Sequence, residues 1–191
     1  MNRGIRNNNP LNIRHSADKW QGERINQTDK SFVQFESMAY GYRAAWKVLD
    51  SYWKHFKNLR MPFTVSNIIE RWAPPSENNT EAYVKTVIRL TSLGGMESLP
   101  RPYMGISIDK LARLLRAMTT MECGIPYEQV SEAEIWEGYN LAFPGKLKKR
   151  FVHRLQKLHT DISPFCIEIP VEDKHKYPAY DEYWDWSLQV G

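Results

Sequence analysis

The hydrophobic pattern of this chain changes period several times, and each change marks an element. From Met38 to Phe56, apolar residues fall at Tyr42, Ala45, Trp46, Leu49, Trp53 and Phe56, three or four positions apart. That spacing gathers them on one face and predicts an amphipathic helix. Gly41 interrupts the first turn at about 1 kcal/mol relative to Ala, so a close approach of backbone or ligand is expected there. Thr64 is an N-cap for a short helix through Ile68, Ile69 and Trp72, which Pro74-Pro75 stops. The polar loop Ser76-Glu77-Asn78-Asn79 follows. Thr80 then opens a helix carrying Tyr83, Val84, Val87 and Ile88, with Gly94-Gly95 ending it. Ser107 is expected to cap a strong helix that finishes at Gly124. Ser131 and Glu134 form a capping box for a last core helix through Trp136 and Tyr139.

Outside this helical run the pattern is less regular. Phe32-Val33-Gln34-Phe35 is a short strand candidate, and Lys19-Trp20-Gln21-Gly22 begins a stretch of turns. Near the start, Asn7-Asn8-Asn9-Pro10 cannot continue a helix. Asn side chains bond the nearby backbone, and a residue before proline is pushed to extended geometry. Ile5, Leu11 and Ile13 alternate with polar residues, so one side of this loop should pack inward and the other face a ligand. Its amides, with Arg6 and Arg14 at the flanks, are groups that hold hydroxyls, acetamido groups and carboxylates. A plain solvated loop is the alternative. At the other end, Pro144-Gly145 marks a boundary. Leu147, Phe151, Leu155 and Leu158 stripe a basic helix expected from Lys146 to His159, and the chain turns acidic and aromatic from Tyr180 to Trp186. The reading is a mainly helical domain over 1–143 with little sheet, then an appendage over 144–191.

Composition narrows the class. A chain of 191 residues with 42% hydrophobic and 25% charged content can bury one good core as a soluble globular protein. Of the net +4, the first sixty residues hold eleven Lys or Arg against five Asp or Glu. That bias suits an anionic polymer, nucleic acid or cell wall, without choosing between them. Aromatics at 13% suit sugar stacking and core packing equally. Cys123 and Cys166 make no disulfide framework, and no spacing resembles a metal site, so no metal or cofactor is expected. No apolar signal segment or membrane span is read, which predicts synthesis in a host cytoplasm.

One carboxylate stands out. On the helix ending at Gly124, the apolar stripe is expected to run Leu111, Leu114, Leu115, Met118, Met121. Positions 111, 115, 118 and 122 share a face, so Glu122 joins it. Burial there and the negative end of the helix dipole both disfavour the ionised form. A glutamate kept protonated is what glycosidic cleavage needs as general acid. The competing reading is a last-turn residue turned to solvent. Neither a nucleophile with a histidine partner nor a phosphate-binding glycine loop is visible.

Taken together, Arg3-Gly4-Ile5-Arg6-Asn7-Asn8-Asn9-Pro10-Leu11-Asn12-Ile13-Arg14, Arg71-Trp72-Ala73-Pro74-Pro75-Ser76-Glu77-Asn78, Thr80 with Tyr83-Val84, and Met121-Glu122 with Gly124 resemble a family of phage and prophage virion structural proteins related to the lysozyme-like lytic transglycosylases. Those enzymes carry the catalytic Glu helix first, then the Asn-Pro segment and the tyrosine helix. The order in this chain would fit a circular permutation. Cys123 also departs from the Ser commonly found after the catalytic Glu. The resemblance implies a lysozyme-like fold and peptidoglycan cleavage by a single carboxylate, Glu122. It implies substrate contacts from Asn7, Asn8, Asn9, Asn12, Arg14, Trp20, Trp72, Glu77, Asn78 and Tyr83. The implied partners are glycan strands and other virion proteins, with action at the cell wall. A catalytically silent virion component or peptidoglycan-binding module is the alternative. Nucleic acid, with only charge behind it, is set aside.

Overall fold

The computed structural model describes residues 2–17, 19–103 and 107–146. Among the described residues there are six α-helices: α1 Arg3–Arg6, α2 Met38–Asn58, α3 Val65–Trp72, α4 Thr80–Thr91, α5 Asp109–Cys123 and α6 Glu132–Ala142. The fold is mainly helical. The described residues fall within one unit, and the basic helix and acidic tail expected beyond Lys146 lie outside them.

Helix α2 is the spine. Its apolar face, Tyr42, Ala45, Trp46, Leu49 and Phe56, is buried as its period requires. α2 packs chiefly on α6, where Gly138 lets the two helices touch: a Cβ there would lie 2.5 Å from Tyr42 Cβ and 2.8 Å from Ala39 O. The Trp46 indole N–H donates to Ile135 O at 2.9 Å, and its ring meets Tyr139 edge-on at 5.0 Å. This buried hydrogen bond and ring contact fix helix register as well as burying area. The close approach expected at Gly41 is made by backbone. Asn8 O and Pro10 Cδ would sit 2.1 and 2.5 Å from a Cβ there. The first loop is therefore seated on the opening turns of α2.

Four local expectations are corrected. Phe32–Phe35 is no strand: it makes single bridges, Arg14 to Phe32 and Glu23 to Phe35, on either side. Side chains take its remaining backbone groups, as Asn9 does at Val33 O. Ser107 does not cap α5. It adopts a left-handed conformation, and Ile108 stands at the cap with no side-chain bond. The end of α4 is set by left-handed Ser92 rather than by the glycines. Met121 leaves the α5 stripe and is 38% exposed, while Cys123 takes the buried place. The Thr64 cap, the Ser131 cap and the Gly124 terminus stand as read.

Gly138→Ala tests the α2–α6 contact. Alanine adds up to about 1 kcal/mol of helix propensity, but the overpacking costs roughly 1–3 kcal/mol. Urea unfolding should show a net loss of stability, and an unchanged midpoint would mean the helices sit further apart.

Candidate active site

The Asn loop is a framework before it is a site. Asn9 is fully buried, and its amide donates to Ile13 O at 2.9 Å and Val33 O at 2.8 Å while accepting from Ile13 N at 2.8 Å. Asn7 is equally buried, donating to Asp29 at 2.8 Å and accepting from Gln34 at 3.1 Å. These amides satisfy the chain itself, so Asn7 and Asn9 shape the loop instead of facing solvent. Asn8, left-handed at φ 51°, donates to Phe35 O and Glu36 O. Asp29 anchors the assembly from the turn region. The Asn7 amide, aided by the Ser31 and Phe32 N–H groups and by Arg3, holds its carboxyl down at about 2. Sequence reading passed over Asp29 and Gln34, which carry no periodic signal.

The remaining asparagine faces the other way. Asn12, left-handed at φ 50°, donates from one Nδ2 to the Glu122 carbonyl at 3.0 Å and to Glu122 Oε2 at 3.3 Å. Its own Oδ1 is buried without a hydrogen-bond partner. On the other oxygen, Oε1, Glu122 accepts the Trp72 indole N–H at 2.8 Å and the Tyr83 hydroxyl at 3.2 Å. The loop, α3 and α4 thus all deliver a donor to one carboxyl on the last turn of α5. Glu122 is half-buried, and it meets polar donors rather than the leucines of the stripe. Burial and the neighbouring Glu122 push the Tyr83 hydroxyl well above its ordinary value, which keeps it a donor. The Cys123 thiol, raised to about 11 mainly by burial, donates to Pro10 O and is no nucleophile.

The other sequence candidates lie apart from this carboxyl. Arg14 is exposed with its guanidinium over Phe32. Trp20 packs half-buried against the core, and Glu77 and Asn78 are exposed after α3. Among the described residues none of these four hydrogen-bonds to Glu122. A cavity of about 500 Å³ borders Asn8, Ser37, Thr119 and Glu134, and Glu122 does not line it. Among the described residues no cluster of three or more His, Cys, Asp or Glu could hold a metal, and no helix is long and apolar enough to cross a membrane.

No family model matches the chain. Protein P5 of Pseudoalteromonas phage PM2 is 33% identical over 147 residues, covering 75% of this chain and 83% of that protein. The chain belongs to the family of this phage protein. The P5 match spans three quarters of the chain rather than a single motif.

The Asp29 anchor makes acid sensitivity measurable. Its folded carboxyl is depressed below the ordinary 3.8, so its contribution is present above that value and lost as pH falls towards about 2. Asp29→Asn should lower stability at neutral pH and flatten the acid limb of the melting profile between those values. An unaltered acid limb would remove Asp29 from the loop's support.

Proposed function

We propose that this phage-family protein is a peptidoglycan-cleaving glycosidase of the lytic transglycosylase or lysozyme type, with Glu122 as its single acid/base. One observation carries the reading: Asn12, Trp72 and Tyr83, separated from Glu122 by 110, 50 and 39 residues, all donate to it. The strained backbone and orphaned acceptor of Asn12 support it further, because such features gather where a ligand completes the network. A lysozyme-like arrangement of the helices is part of the proposal.

The chemistry needs only groups on this chain and the sugar. Glu122 gives its proton to the glycosidic oxygen, and the bond from that oxygen to C1 breaks. It then takes a proton from the 6-hydroxyl of the same sugar, whose oxygen bonds C1 and closes an anhydro ring. Water in place of that hydroxyl gives hydrolysis. Trp72, Tyr83 and Asn12 hold the carboxyl in place, which fixes its geometry relative to a bound strand. The protein is made inside the host and carried by the virion to the wall. Residues 144–191 are assigned to virion contacts in this reading, so cleavage should survive truncation after Lys146.

The second reading is a silent virion component. It is favoured by the same three donors, because a carboxyl held by Asn12, Trp72 and Tyr83 also ties the loop, α3 and α4 to α5. Incubation with purified peptidoglycan and mass analysis of released fragments separates the readings. Anhydro ends identify a transglycosylase and reducing ends a hydrolase; no release from the wild type leaves the silent component. Glu122→Gln keeps an acceptor for Trp72 and Tyr83 but has no transferable proton. Release should fall by about two to four orders of magnitude, with melting behaviour retained. Undiminished cleavage by this variant would end the enzyme reading.

A further inference from the structure

The flank of α2 beside its apolar face carries a second, unassigned feature, with Arg43 and Lys47 half-buried and Lys54 and Lys57 exposed. Arg43, Lys47, Asp50, Lys54 and Lys57 recur at helical spacing along one stripe. Asp50 is the single acid among them. It is 6% exposed, paired with Lys54 at 2.7 Å and with Arg101, from the loop before α5, at 3.6 Å. Lys54 and Arg101 therefore share that carboxylate, while Arg43, Lys47 and Lys57 form no ion pair with it. Like charges three or four residues apart on a helix oppose each other. Lys47 registers this: burial, then the neighbouring Arg43, lowers its readiness to hold a proton. Arg43 Nε is buried without a hydrogen-bond partner. Among the described residues Arg43, Lys47 and Lys57 thus keep positive charge with no carboxylate in ion-pair distance, which suits an anion.

The cations are also held in place by rings. Lys47 Nζ lies 4.5 Å from the Phe143 centroid and Lys57 Nζ 5.2 Å from that of Trp53. The Arg101 guanidinium lies 4.4 Å from Trp53 and 3.7 Å from Tyr103. Cation–π contacts of this kind restrain long side chains and reduce the entropy lost on binding. They also cover the ring faces, which removes them as platforms for stacking bases or for entering a lipid interface. What remains is a straight row of positive charge. From Arg43 to Lys57 it runs about 21 Å at 1.5 Å per residue, the length of roughly six phosphates along one strand of a duplex.

We propose that the α2 stripe, Arg43, Lys47, Lys54 and Lys57 with Arg101, binds the phosphate backbone of double-stranded nucleic acid without reading its sequence. Charge complementarity and capped rings favour a duplex backbone over single strands or a membrane. Sequence reading set nucleic acid aside because charge counts do not reveal whether cations align; the α2 geometry supplies that alignment.

The test is retardation of short duplexes of unrelated sequence by the full chain at about 50 to 200 mM salt, the range over which backbone binding weakens steeply. Equal affinity for different sequences is expected. The triple variant Lys47→Gln, Lys54→Gln, Lys57→Gln should weaken binding at least about tenfold and reduce the salt slope by roughly two to three. A control with Lys30, Lys85 and Arg89 changed to Gln loses the same charge elsewhere and should bind nearly as wild type. Should the triple variant fold poorly, lysine acetylation of the wild type reads the same surface. Bound duplex should protect Lys47 and Lys57 and leave Lys85 reactive. Equal losses in the two variants, tighter binding of single strands than duplexes, binding only to anionic vesicles, or no retardation would each overturn the proposal.

Discussion

Three hydrogen bonds made by the buried amide of Asn9 hold the first loop together. Replacing Asn9 would orphan Ile13 N and Val33 O in the interior, at about 1–3 kcal/mol apiece, while Ile13 O keeps the Val33 N–H. The clamp joins Ile13 and Val33, so the extended segment before α2 is fixed to the loop without a sheet. Asn7 repeats the device towards Asp29 and Gln34. The loop thus arrives at α2 as a rigid body, and Gly41 lets it sit on the helix. Only with the loop fixed in this way can Asn12 reach Glu122 across the chain.

At Glu122 the logic is reversed. The clamp amides of Asn9 and Asn7 bond backbone groups and the Asp29 and Gln34 side chains, whereas Asn12, Trp72 and Tyr83 direct donors to a half-buried carboxyl. Each such bond contributes about 1 kcal/mol. Together they join the loop, α3 and α4 to the end of α5. The same geometry serves an enzyme or a tie between elements. Its value to the enzyme reading lies in the solvent access of the carboxyl and the unfulfilled Asn12 oxygen. The kinship with phage protein P5 supplies context for both readings without deciding between them.

The helices were legible because burial of one face imposes a period that composition carries openly. α2, α3, α4 and α6 follow it, with caps at Thr64 and Ser131 read from residue type. α1 was not legible, since four residues hold no period. The strand at Phe32–Phe35 misled because β-like residues there bond to loops and side chains instead of a partner strand. Ser107 misled because a good capping residue is also tolerated in a left-handed turn. Within the site, spacing put Glu122 on the inner side of α5, but mistook its surroundings: donors from three distant segments meet it, and local sequence contains no trace of them. Nor does an Asn run state which of its amides face inward. Asn7 and Asn9 differ from Asn12 only through contacts made after the chain has folded.

The central claim is that the Glu122 cluster is a ligand site and not merely a tie. The Trp72 indole N–H resonance reports on it directly, because that proton lies on the Glu122 carboxylate. Its assignment follows from its loss in Trp72→Phe. Titration of Glu122→Gln with soluble disaccharide–peptide fragments of peptidoglycan should shift that resonance and the Asn12 side-chain amide together, in a saturable manner. Shifts confined to other residues, or none at saturating fragment, would contradict the account.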